Sequence, residues 1–187
     1  MGDSDDVEAA IVHLGRWASD AKTEAAADSR LRRQWTQQQA EDEATLLSVL
    51  VDMAERRAAV AVHTRAGATI RGAVAGVGRD YLAVVRGPQL TFVVTAAIDW
   101  IRPDGDAAPA AFGDRAAPPS SLMGVLTNLV GEGHEVRVVS GEEIIAGELL
   151  AAGADVLTLR PAGASSPGQV VYVPAASVSE LSLRLSG

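Results

Sequence analysis

Apolar positions recur at two different spacings along the chain, and the spacing switches at matching points in two separate stretches. Over residues 43–57, Leu46, Val49, Leu50, Met53 and Ala54 form a stripe at three- and four-residue steps, which predicts a helix. Residues 120–131 carry a similar stripe, opened by Pro118-Pro119-Ser120-Ser121 and stopped by Gly131 and Gly133. After each helix the period drops to two. Alternation over 60–64 and 136–140 predicts half-buried strands. Longer strands follow at 69–77 and 143–151, and again at 81–86 and 156–160. Gly67 and Gly141 mark the first turn, and Gly78-Arg79-Asp80 and Gly153-Ala154-Asp155 the second. A fourth strand is expected at 90–95 or 169–174, and a short fifth at 99–102 or 179–183.

The two stretches align as a repeat, the strongest signal in the sequence. Leu46, Val49, Leu50 and Met53 find Leu122, Val125, Leu126 and Leu129 at an offset of 76 residues. Ile70 to Val74 and Gly78 to Leu82 match Ile145 to Leu149 and Gly153 to Leu157 at an offset of 75. Phe92 to Ile98 match Tyr172 to Val178 at an offset of 80, the extra residues falling around Pro161 and Pro167. Insertions confined to turn chemistry are those of real structural units. A helix and five short strands in about 55 residues predict a small closed barrel, because an open sheet of that size leaves unprotected edges. The organisation expected is an N-terminal helical arm over 1–42, a first barrel with its leading helix over 43–103, a Pro/Ala/Gly-rich linker over 104–119, and a second barrel with its helix over 120–187. In the arm, Val7, Ile11, Leu14, Ala18, Ala21 and Ala25 keep helical spacing. Asp28 interrupts that stripe, which Leu31 and Trp35 resume, so Asp28-Ser29 could also be a break.

The pattern V-x-V, then G-x-V-x-x-V-G-x-D-Y-L-x-V, then V-V-x-x-x-A-I-x-x-I resembles the bacterial Sm-like small-barrel proteins. The resemblance covers residues 43–103 and, more weakly, 117–183. With it, the expected fold is α+β: a long N-terminal helical region followed by two tandem helix-plus-five-strand small Sm-like/SH3-like β-barrels. The resemblance implies RNA binding, self-assembly or protein interaction. The family's RNA-binding residues are missing. Tyr81-Leu-Ala-Val and Val156-Leu-Thr-Leu offer no Asn after Asp80 and Asp155, and Thr95-Ala-Ala and Ala175-Ala-Ser replace the Arg-Gly or Lys-Gly turn. Asp80 and Asp155 read instead as turn residues whose carboxylates accept backbone N–H groups.

Composition narrows the function classes. The 187 residues contain no cysteine, which excludes a disulfide framework, a thiolate nucleophile and a cysteine zinc site. Aromatic residues are only 4%, so stacking platforms are scarce. Of 16 basic residues only Lys22 is lysine, which with the abundant alanine reads as the codon bias of a GC-rich bacterium. The acidic start and the short apolar runs show neither a secretory signal nor a membrane span, so a cytoplasmic protein is expected. Net charge is −8, against a general nucleic-acid coat, yet it is uneven. Residues 61–103 carry +3, while 121–187 carry −4 and 1–60 carry −5.

Candidate chemistry is thin. His13, His63 and His134 have no second ligand at useful spacing, and no phosphate-binding or hydrolase motif is present, so no enzyme, metal or cofactor is expected. Arg71, Arg79 and Arg86 of the first barrel, helped by Arg30, Arg32 and Arg33 of the arm, are the candidates for weak nucleic-acid binding through phosphates. Trp17, Trp35 and Trp100 are the candidates for a partner interface. The function expected is a non-catalytic interaction or scaffold protein that holds a protein partner or another copy of itself. Weak RNA or DNA binding through the arginine face is the alternative.

Overall fold

The computed structural model describes residues 45–105, 118–166 and 168–185, together with Trp35. Apart from Trp35, these fall in one compact unit, Thr45–Gly187. The element order runs α1 (Leu46–Glu55), β1 (Ala59–Thr64), β2 (Thr69–Val77), β3 (Tyr81–Arg86), β4 (Gln89–Val94) and β5 (Ile98–Pro103). It continues α2 (Leu122–Leu129), β6 (Glu135–Ser140), β7 (Glu143–Ala152), β8 (Val156–Pro161), β9 (Val171–Pro174) and β10 (Val178–Arg184). A 3-10 turn, Thr95–Ala97 or Ala175–Ser177, precedes each fifth strand. The same run of elements therefore occurs twice.

The expected pair of closed barrels is not what forms. The strands make one antiparallel ten-stranded sheet in the order β5-β1-β2-β3-β4-β10-β6-β7-β8-β9, and the described residues are mostly β. Within each half the fourth and fifth strands do not pair with each other. Instead β4 pairs with β10, Phe92 opposite Leu181 and Leu90 opposite Leu183. The edges that closure would have covered within each half are instead covered between halves where β4 meets β10, while β5 and β9 end the sheet. The N-terminal arm, apart from Trp35, and linker residues 106–117 lie outside the described residues.

Local chemistry explains how each element starts and bends. Thr45 caps α1: its hydroxyl accepts from the Ser48 N–H at 3.1 Å, and the Ser48 hydroxyl accepts from the Thr45 N–H at 3.1 Å. Ser121 caps α2 by accepting from the Gly124 N–H at 3.2 Å. The second strand of each half is broken by a register shift, at Val74/Gly76 in β2 and Leu149/Ala151 in β7. Such bulges curve the sheet. Gly72 and Gly147 allow the neighbouring strand to come close, since a Cβ there would lie 2.4 Å from the Val85 oxygen and 2.0 Å from the Arg160 oxygen.

The curved sheet encloses two apolar clusters. One gathers Leu50 and Met53 of α1 against Val60, Val62, Val74, Leu82, Val84 and Val93. The other gathers Leu122 and Leu126 of α2 against Val136, Val138, Leu149, Leu157, Leu159 and Leu181. It also takes Tyr81, Ala83 and Phe92 from the first half. Alternation along β4 sends Val93 into one cluster and Phe92 into the other, so this strand is a wall common to both.

Candidate functional site

The junction between β4 and β10 is held at two levels. Along the strands, the Leu185 N–H donates to the Pro88 carbonyl at 2.7 Å, so the alternate amides of Leu183 and Leu181 also point at β4. Beside the strands, the turn 78–80 meets the start of α2. The Asp80 carboxylate accepts from the Leu122 N–H at 2.8 Å, and the Arg79 N–H donates to the Ser120 carbonyl at 2.9 Å. Tyr81 Oη and Ser120 Oγ lie 3.3 Å apart. An acidic side chain at a helix N-terminus satisfies a free N–H and opposes the helix dipole. Asp80 does accept a backbone N–H, but from the other half of the sheet rather than within its own turn.

Among the described residues, the sheet ends in two strands, β5 and β9, with no neighbour on their outer sides. On β5, the Asp104 N–H donates to the Ala59 carbonyl at 2.8 Å, so the alternate amides of Arg102 and Trp100 point inward to β1. The Ile101 N–H points outward, and Pro103, in the same outward series, has none to offer. On β9, the Ala175 N–H donates to the Asp155 carbonyl at 2.7 Å, which turns Val173 and Val171 inward and Tyr172 outward. Pro174 again falls in the outward series. Large apolar side chains stand at both edges: Trp100 is 44% exposed and Tyr172 is 68% exposed. Trp100 stacks on His63 with ring centroids 5.1 Å apart, and the Arg102 guanidinium lies 6.0 Å from the indole centroid.

The expected arginine face does not assemble. Arg71 lies on β2 and faces Asp104, its guanidinium 3.2 and 3.4 Å from the two carboxylate oxygens. Arg86 ends β3 near the same end of the hairpin, yet Ala73 pairs with Val85, so alternation sends Arg71 and Arg86 to opposite faces. Arg79 occupies the turn at the far end of β2. Arg30, Arg32, Arg33 and Trp17 lie outside the described residues, and Trp35 is exposed. Trp100 lies on β5 and is partly exposed. Tyr172 and Ile101, exposed and half-buried on the two edge strands, were missed. The repeat alignment carries the signal that would have found Tyr172, which matches Phe92.

Among the described residues no group of three His, Asp or Glu side chains is placed to hold a metal ion, and no helix is long and apolar enough to cross a membrane. His134 faces Glu132 at 2.7 Å. An open groove beside the junction is lined by Arg65, Glu142 and Ser177, and the Arg65 guanidinium is bonded to the Ala96 carbonyl at 2.8 Å. Neither a known protein family nor a curated protein matches the chain.

Proposed function

We propose that the protein is a non-catalytic interaction protein that binds by strand addition at the two open ends of its sheet. The observation that carries this reading is the pair of edges, β5 and β9, that no other described strand covers, each flanked by an exposed large aromatic side chain. An extended partner laid along such an edge gains main-chain hydrogen bonds, and side chains at alternate positions supply selectivity. Pro103 and Pro174 interrupt the outward donors, which shortens each edge and disfavours indiscriminate sheet growth. The scattered arginines do not support the nucleic-acid alternative.

Affinity capture from cell extract with the full chain, with and without nuclease, tests this reading. A protein partner is expected in both arms and is lost with Tyr172→Asp or Ile101→Pro. Added back to the pure chain, that partner should slow hydrogen exchange at the outward amides of Ile101 and Tyr172. Recovery of nucleic acid alone, or a partner indifferent to both substitutions, would refute it.

A further inference from the structure

The outer face of the sheet at its β5 end is built in cross-strand rows. Thr69 of β2, His63 of β1 and Trp100 of β5 stand opposite one another in one row, and Arg71, Ala61 and Arg102 in the next. His63 Nδ1 lies 3.0 Å from Thr69 Oγ1, and the imidazole stacks on the indole with 13° between the planes. His63 therefore occupies the β1 side of the indole and leaves the other side turned to the open edge. In the second row Arg71 is engaged with Asp104. Arg102 is exposed beside the indole, and no described carboxylate lies within ion-pair distance of it. The fold does not require this chemistry. Extended by two to four residues, the repeat sets Glu180 and Ser182 of β10 where β5 carries Trp100 and Arg102, so an equivalent strand forms without either side chain.

The usable edge is short. A register shift between His63 and Thr64 places Asp99 outside the regular pairing, and Pro103 has no N–H. Trp100, Ile101 and Arg102 remain. Ile101 offers the outward N–H of the three, and its side chain packs against the first cluster. An antiparallel strand whose central residue faces Ile101 exchanges two main-chain hydrogen bonds with it. The residues on either side of that one fall opposite Arg102 and Trp100 on the outer face. A carboxylate there meets the guanidinium, an apolar side chain lies on Ile101, and an aromatic ring extends the His63–Trp100 stack. A slip of one residue would turn the carboxylate and the ring to the core side, so the register is set by the chemistry.

Resting on the strand-addition reading, we infer that β5 selects an extended segment of another protein that runs acidic, apolar, aromatic from N- to C-terminus, matched in turn by Arg102, Ile101 and Trp100. The antiparallel direction fixes this order, since the partner passes Arg102 before Trp100. The charge of +3 over residues 61–103 draws an acidic segment to this end of the sheet. The indole is already held by His63, so a partner ring meets a surface whose conformation costs little to fix.

The test titrates the full purified chain into a fluorescently labelled peptide, Thr-Thr-Glu-Val-Tyr-Thr-Thr with blocked ends. Saturable binding by anisotropy is expected, with hydrogen exchange slowed at the Ile101 amide. Arg102→Glu should weaken binding roughly three- to tenfold, as reversal of a cross-strand ion pair does. A peptide with lysine in place of its glutamate should recover that loss against Arg102→Glu and not against the wild type. Trp100→Ala should weaken binding roughly two- to tenfold, the range for losing an aromatic pair. Methylating the nitrogen of the peptide's central valine removes its N–H to the Ile101 carbonyl and should abolish binding. If methylation abolishes binding but the charge exchange rescues nothing, strand addition stands and the acidic–apolar–aromatic order is overturned. If the methylated peptide binds as well as its parent, strand addition at β5 falls with it. Absence of saturable binding overturns the inference. So does an Ile101 amide that already exchanges slowly in the chain alone, because the edge is then covered by something other than such a segment.

Discussion

Asp80 and Asp155 occupy the same place in two equal turns, yet among the described residues only Asp80 has a helix in front of it. The contact from its carboxylate to the Leu122 N–H spans 42 residues of sequence, so it belongs to tertiary structure although its chemistry is that of a local cap. Asp80→Ala should therefore destabilise the protein by about 0.5–2 kcal/mol, as other lost helix caps do. Asp155→Ala should leave the stability of the isolated chain nearly unchanged. Urea unfolding of the two variants side by side checks the difference; equal losses would mean that Asp80 acts only within its own turn. A second residue pair has no counterpart in the first half. Glu180 is buried on β10, and the Arg137 guanidinium on β6 donates to its Oε1 at 3.2 Å. Arg137→Ala would leave a carboxylate buried without its cation. Because Arg137 is itself partly exposed, a loss of roughly 1–3 kcal/mol is expected rather than the larger figure for a fully enclosed pair. Arg137→Lys should recover part of it in the same urea measurement.

At the scale of elements, period-two alternation and glycine-marked turns placed all ten described strands to within a few residues. Alternation registers which face of a strand is buried, and the buried faces of Val60, Val62, Val136 and Val138 are strongly apolar. What alternation does not register is the strand that lies alongside, because main-chain pairing is nearly independent of side-chain identity. Closure of each half on itself and pairing of β4 with β10 therefore predict the same sequence pattern. The distinguishing trace is faint: Phe92, Leu90 and Val94 on one face and Val93 on the other are all apolar, as suits a strand buried on both sides. The open edges were harder still to see. An exposed Tyr172 looks like any strand residue until the strand order shows no described strand beside it. The roles of Gly72 and Gly147 were equally hidden, since both lie inside strands rather than at turns. Gly147→Ala would drive a methyl group against the Arg160 carbonyl, backbone that cannot swing aside. A loss of about 1–3 kcal/mol is expected by chemical denaturation, as for other overpacked sites. Gly76→Ala, with open space around its Cβ, should leave stability unchanged or raise it by up to about 1 kcal/mol in the same assay.

The whole sheet behaves as one body if its shared strand couples the two clusters. Separate barrels joined by a linker would unfold independently, each with its own midpoint, and a core substitution in one would leave the other unchanged. A continuous sheet should not do this. Phe92 belongs in sequence to the first half, but its ring packs in the second cluster, 5.4 Å from Tyr81 and edge-on to it. On the same strand Val93 packs in the first cluster. Removing the ring opens a cavity in one cluster and loosens the strand that walls the other. Phe92→Ala should therefore lower stability by about 3–5 kcal/mol, the range for a buried phenylalanine. It should do so as a single shift of one cooperative transition. Calorimetry distinguishes the cases, since the calorimetric and van 't Hoff enthalpies agree only if both halves melt together. Leu50→Ala, deep in the first cluster and remote from β10, supplies the reciprocal test. If it shifts the same transition, the two halves are one folding unit, and an open end on either half reports on the stability of both. If it splits the transition in two, β4 is only a seam, and a partner bound at β5 would leave β9 unaffected.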